Sequence, residues 1–357
     1  MKSLVERCGD IWDSIRQSSA QMPTRVVITR DHVDEEVRSK LGTDLQPHED
    51  YFQVRVNEMF LTYDRKWFAA YAPMVFTIAE FTYNQEMQTV PFVVGPTMMK
   101  QLFGNDIPPH MIFSNTRVAG LHPYRGGRLV LTIVLYRVQR KNYGDQFLQI
   151  IESAAGVLDF STTLSTYVKI AGVVLDGIEA LLGLGKTNPL VGLRIELDRD
   201  AGDKMEPSYF GLINMPEGEL DTNKLWVNKE QQLVYGNSMT SATPFRNADY
   251  VLYSLIQTPV RSDETTLPFY PSYKRVIDAA MESNTSDKWD VTKAYMADLN
   301  KTLRFSPDLT TKQYEELRKR YIDEMVKAHE QSVAESDLGP AEEVDSEIRE
   351  AISILEL

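Results

Sequence analysis

Hydrophobic positions along the chain first recur at helical spacing and then switch to a period of two. Leu4, Cys8, Ile11 and Ile15 fall three or four residues apart, which predicts an amphipathic helix over residues 2–19. Thr24–Arg30 reads as a strand, and an Asp- and Glu-rich polar stretch runs on to Asp50. From Tyr51 the character changes. Residues 51–63 alternate, and 69–83 are almost continuously β-branched or aromatic, as suits a strand in a packed sheet. Pro73 and Pro91 confine their positions to strand starts, edges or bulges. The clearest strand is Arg128–Val138. It puts Leu129, Leu131, Ile133 and Leu135 on one face and Val130, Thr132, Val134 and Tyr136 on the other. Gly126 and Gly127 before it predict a turn. Val191–Leu197 repeats the pattern, with Arg194 and Glu196 opposite the aliphatic face, and shorter strands are expected at 209–215, 225–227, 232–235 and 250–257.

Helical spacing interrupts this region once and then takes over. Residues 144–155 and 161–182 predict a helical hairpin, whose second arm carries Leu164, Val168, Ala171, Leu175, Ile178 and Leu182 as one apolar stripe. Helices are expected at Ser272–Ser283 and Asp287–Leu303. A third opens at Thr310, where Gln313 three residues later makes a capping-box pattern. After a linker with Gly339 and Pro340, Val344, Ile348, Ala351, Ile352 and Leu355 line one side of a short acidic helix. Strands and helices do not alternate regularly, which argues against a parallel doubly wound sheet. The expected fold class is α+β: a β-sandwich or jelly-roll-like body with an inserted helical hairpin and a helical C-terminal region. The divisions are 1–20, an N-terminal helix; 21–262, the β-rich body with its insertion at 144–185; 263–333, helical; and 334–357, the acidic tail.

Composition narrows the classes of function. The one cysteine, Cys8, excludes an internal disulfide framework and points to a reducing, cytoplasmic location. Charged residues break up the first helix, so it does not read as a secretion signal, and no run of 18 apolar residues predicts a spanning helix. A formal net charge of −13 disfavours nucleic acid as a partner, because phosphates need Lys and Arg to neutralise them. The charge is uneven: Glu335–Leu357 holds eight acidic residues and one arginine.

Several motifs carry chemistry only at first sight. Gly185-Lys186-Thr187 matches the end of a phosphate-binding loop, but Ala180 stands where that pattern needs glycine. The segment also closes a helix instead of opening one, so a helix C-cap is expected. Asp198, Asp200 and Asp203 offer hard oxygens for Ca²⁺. However, Gly202 stands at a ligand position of the helix–loop–helix calcium pattern, so a solvated turn is the principal reading and a Ca²⁺-responsive sandwich the alternative. The five histidines are scattered at spacings that build no local zinc site, and no nucleophile elbow is present. No catalytic residue, cofactor or metal is therefore nominated, although a hydrolase site assembled in space would leave no trace in the sequence.

Two amphipathic elements remain for function. The stripe Leu164, Val168, Leu175, Ile178 and Leu182 is expected to pack within the fold, with a subunit interface or membrane contact as alternatives. A helix as short as the tail's is marginal alone, so Val344, Ile348, Ile352 and Leu355 are expected to fold by docking. These features predict a non-enzymatic protein-interaction role, as scaffold, adaptor or subunit of an assembly, with a protein partner or a second copy. A membrane-perturbing effector acting through 147–182 is the alternative.

Overall fold

The computed structural model describes residues 3–18, 24–63, 65–66, 69–83, 86–94, 110–139, 171–177, 179, 188–198, 201–203 and 206–335. The chain divides into two compact units, Met1–Pro259 and Val260–Leu357.

Among the described residues the first unit is built on three antiparallel sheets. One has five strands: β1 (Thr24–Ile28), β9 (Ser208–Ile213), β13 (Tyr250–Thr258), β2 (Tyr51–Phe60) and β6 (His110–Pro123), paired in that order. In a second, β4 (Ala69–Tyr83) lies between β5 (Glu86–Val94) and β7 (Arg128–Gln139). There β7 also pairs β8 (Asn188–Asp198), and the two-residue β3 (Arg65–Lys66) pairs the start of β4. The third is small: β10 (Leu225–Val227), β11 (Leu233–Tyr235) and β12 (Thr243–Pro244). None closes into a barrel among the described residues.

Alternation along the strands decides what lies between these layers. Val54 and Val56 of β2, Val251, Tyr253 and Leu255 of β13, and Leu129, Leu131, Ile133 and Leu135 of β7 belong to one buried cluster drawn from both five-stranded sheets. At its edge His122 lies between the rings of Phe52 and Phe81, with centroids 5.6 and 5.0 Å away. The opposite face of the second sheet is apolar too, because it is covered. Met74, Phe76, Ile78, Val134 and Tyr136 pack under α1 (Leu4–Ser18), through its Cys8, Ile11 and Ile15, and under Val174 and Leu175 of the helical residues 171–177. Arg7 ties these two helical pieces together, reaching Asp176 at 2.6 Å and Glu179 at 2.8 Å. The outer face of the first sheet is buried by the short α2 (Glu35–Arg38) and the small sheet, through Val37, Leu225, Val227, Leu233 and Phe245. Strands with both faces covered are apolar throughout, which explains the nearly unbroken run at 69–83.

Pro73 sits where its missing N–H costs least. It pairs Arg137 on one side, and on the other it falls between the end of the β3 ladder at Ala70 and the start of the β5 ladder at Val75.

Among its described residues the second unit contains three α-helices, α3 (Tyr270–Met281), α4 (Ser286–Arg304) and α5 (Thr311–Glu335). Trp289, Met296, Leu299 and Leu303 of α4 pack with Val276 and Ala280 of α3 and with Leu317, Tyr321 and Met325 of α5. Thr310 caps α5, its hydroxyl accepting from the Gln313 N–H at 3.1 Å. The Gln313 amide is spent elsewhere: it accepts from the Arg261 N–H and donates to the Arg261 carbonyl.

Candidate functional site

Several buried polar groups among the described residues hold one element to another. Glu58 on β2 is fully buried and accepts from the Leu233 N–H at 2.6 Å and from Arg246 at 3.2 Å, which bolts the small sheet to the first large one. Asp50 plays a similar part for the loop before β2, accepting from the Gln46 N–H and the Gln257 amide. Beneath α1, Glu80 is fully buried and pairs with Arg194 at 2.7 Å. Cys8 lies close above them. Burial, with the Glu80 carboxylate adding, pushes its thiol up to about 12, so it stays protonated near neutral pH and is no nucleophile.

The helical unit contains a buried Ser–His pair. The Ser283 hydroxyl lies 2.6 Å from the Ala280 carbonyl, to which it donates, and 2.7 Å from His329 Nδ1. His329 is also stacked flat on buried Trp289, with centroids 3.9 Å apart, so the pair acts as a clamp between the end of α3 and α5. Nearby, Tyr321 donates to Glu264 and Tyr273 to Glu324, with the two rings stacked at 4.0 Å. Burial and these carboxylates push both phenols up. Each of these clusters ties one element to another.

The surface offers more. Five of the eight large apolar side chains exposed among the described residues belong to the smaller, helical unit: Val260, Met281, Val291, Tyr295 and Phe305. Val291, Tyr295 and Phe305 are spaced four and ten residues apart, which places them on one side of α4. Phe305, at the C-cap, is 71% exposed, and the Arg275 guanidinium lies over the Tyr295 ring. In the β-rich unit, β8 is the last strand of the second sheet among the described residues, with Leu193, Ile195 and Leu197 half-buried.

The residues singled out from the sequence fare unevenly. Leu175 is fully buried against α1 and the outer face of the second sheet, so it packs within the fold. Leu164, Val168, Ile178 and Leu182, the Gly185-Lys186-Thr187 motif and the tail residues Val344, Ile348, Ile352 and Leu355 lie outside the described residues. Asp198 and Asp203 close a turn on each other. The Asp203 carboxylate accepts from the Asp198 N–H at 2.9 Å and the Asp203 N–H donates to the Asp198 carbonyl, while Gly202 takes positive φ; Asp200 is outside the described residues. Among the described residues, no group of three or more His, Cys, Asp or Glu side chains is placed to hold a metal ion, and no helix is long and apolar enough to cross a membrane. Sequence reasoning missed the α4 stripe and the β8 edge. The signal was present, since Val291 and Tyr295 keep helical spacing, but Trp289, Met296 and Leu299 keep it as well. No protein-family model, curated protein or solved structure matches this chain.

Proposed function

We propose that the chain is a non-enzymatic protein-interaction protein: a scaffold, adaptor or subunit of an assembly, working in a reducing, cytoplasmic compartment. In this reading its two five-stranded sheets form a sandwich-like body, and the helical unit presents the partner-binding surface. The observation that carries it is the exposed apolar side of α4, with Val291, Tyr295 and Phe305. A stripe of this kind gains roughly 25 cal/mol for every Å² removed from water, and an exposed aromatic beside an arginine is the composition of an interface core. The tail's Val344, Ile348, Ile352 and Leu355 belong to the same reading as a second partner-facing element.

The test uses size-exclusion chromatography with light scattering and affinity capture on the full chain and on the double variant V291D/F305D. A stable complex, with a partner or with itself, that the variant loses at an unchanged melting temperature supports the reading. A full chain that runs as a strict monomer and retains nothing refutes it.

A further inference from the structure

In the second large sheet every apolar row ends on β8. Across the ladder the rows run Phe81–Leu129–Leu197, Ala79–Leu131–Ile195 and Thr77–Ile133–Leu193. The last member of each is half-buried, packed by β7 on one side and against the shared core below. On the other side of β8 no strand pairs with it among the described residues.

Soluble proteins protect such edges with proline, lysine or a bulge. On β8, Pro189 stands near the start and the register with β7 shifts between Val191 and Pro189, and beyond these the edge carries the charges Arg194, Glu196 and Asp198. From Val191 to Asp198 there is no proline, no lysine and no shift.

We propose that this edge pairs with the same edge of a second copy of the chain, antiparallel, about a two-fold axis through Ile195. An axis perpendicular to the sheet keeps each side chain on its own face, so it must pass through a residue and never between two. A centre at Arg194 or at Glu196 sets like charges opposite each other. A centre at Leu193 leaves Arg194 facing Gly192 and Glu196 facing Leu190. The centre at Ile195 alone sets Arg194 opposite the partner copy's glutamate and Glu196 opposite its arginine, while Leu193 and Leu197 meet across the seam on the core face. Opposite charges and aliphatic pairs at directly facing positions are what stabilise an antiparallel pair. Glu80 already holds the Arg194 guanidinium from its own side at 2.7 Å, and Arg128 holds Glu196 at 3.2 Å. The seam therefore completes a row of alternating sign across the outer face. Each apolar row continues into the second copy, and the two second sheets become one.

This inference rests on the interaction reading but uses the other unit and other residues, so the two fail separately. The experiment is disulfide trapping in the full chain. Across the axis the two Ile195 Cα atoms stand roughly 4.5–5.5 Å apart, within disulfide reach. The Leu193 pair stands four residues off register, roughly 14 Å apart. The one native thiol, Cys8, is buried. Under mild oxidation I195C is expected to give a covalent dimer, whereas L193C, L197C and the unmodified chain do not. E196R, at a position whose side chain is 52% exposed, is expected to shift the unmodified dimer to monomer in light scattering while circular dichroism shows the fold retained.

A monomeric wild type, or a dimer in which I195C traps no better than L193C, overturns the edge pairing. A partner lost on V291D/F305D would in that case leave the proposed function standing. A trapped I195C dimer with no partner on α4 would keep the edge and remove the α4 surface.

Discussion

Among the described glycines, Gly42 is the one where an added methyl group meets the closest neighbour. It lies at φ +85° just after α2, and a Cβ built there stands 2.2 Å from Gln257 Oε1 and 2.6 Å from the Gln257 carbonyl oxygen. Gln257 has no slack to yield. Its N–H donates to the Leu41 carbonyl at 2.9 Å, its Oε1 accepts from the Thr43 N–H at 3.2 Å, and its amide nitrogen donates to buried Asp50 at 2.8 Å. Gly42→Ala therefore carries two costs. The left-handed conformation costs an alanine about 1 kcal/mol, and displacing Gln257 gives up a buried hydrogen bond to a carboxylate, about 2–3 kcal/mol. The expected total is about 3–4 kcal/mol. At roughly 2–4 °C per kcal/mol for a unit of this size, calorimetry should show the β-rich unit melting roughly 6–16 °C lower. Gly202→Ala is the control: Gly202 shares the positive φ, +95°, but nothing lies within 4 Å of a methyl group placed there, so only the conformational cost of about 1 kcal/mol applies. Equal losses in the two variants, within about 0.5 kcal/mol, would refute the argument that Gln257 is locked in place.

Two further outcomes are expected. Glu58→Ala strips the Leu233 N–H and the Arg246 guanidinium of a buried acceptor and should cost about 3 kcal/mol in urea unfolding, while Glu58→Gln, which keeps an acceptor, should cost about 1; equal costs would show that the carboxylate holds neither. Burial raises both Cys8 and Tyr253 to about 12, above their unfolded values near 9.0 and 10.0. The folded state thus keeps protons that the unfolded chain releases, so this contribution to stability is complete below pH ~9 and is lost as pH rises towards about 12. Melting temperature should fall over that window, and less steeply in Cys8→Ala; identical slopes would show that the thiol is not held protonated by the fold.

Much of the architecture is legible in the sequence where one period dominates. The alternation predicts a strand at Arg128–Val138 and β7 spans Arg128–Gln139, because its apolar residues alternate over the whole length. Leu4, Cys8, Ile11 and Ile15 mark α1, and the helices expected at Ser272–Ser283 and Asp287–Leu303 are α3 and α4 with ends shifted by one or two residues. Pairing order is not legible. Placing β13 between β9 and β2 joins residues about 40 and 200 positions apart, and no local pattern encodes that. The capping box at Thr310 is only half formed, since Gln313 turns its amide to Arg261, a partner about 50 residues away. The candidate surfaces are illegible for a related reason. Helical spacing in α4 supports two apolar sides at once, and only packing against α3 and α5 shows that Trp289 faces inward while Val291 and Tyr295 do not. Likewise, Leu193 and Ile195 read as ordinary core, although among the described residues β8 is the last strand of its sheet.

The buried Glu80–Arg194 pair has a consequence for how the second sheet finds its alignment. β4 is mostly apolar on both faces, so sliding it by one residue against β7 exchanges Met74, Phe76 and Ile78 for Val75, Thr77 and Ala79, a mismatch of volume more than of polarity. The same slide turns Glu80 away from Arg194 and into the shared core among leucines and valines, where a carboxylate without a cation costs several kcal/mol. Thr132, which lies within 3.4 Å of Arg194 on the outer face, would lose its place if β7 slid instead. One ion pair and one hydroxyl thus serve as the polar registration mark of a strand whose two faces are otherwise largely apolar.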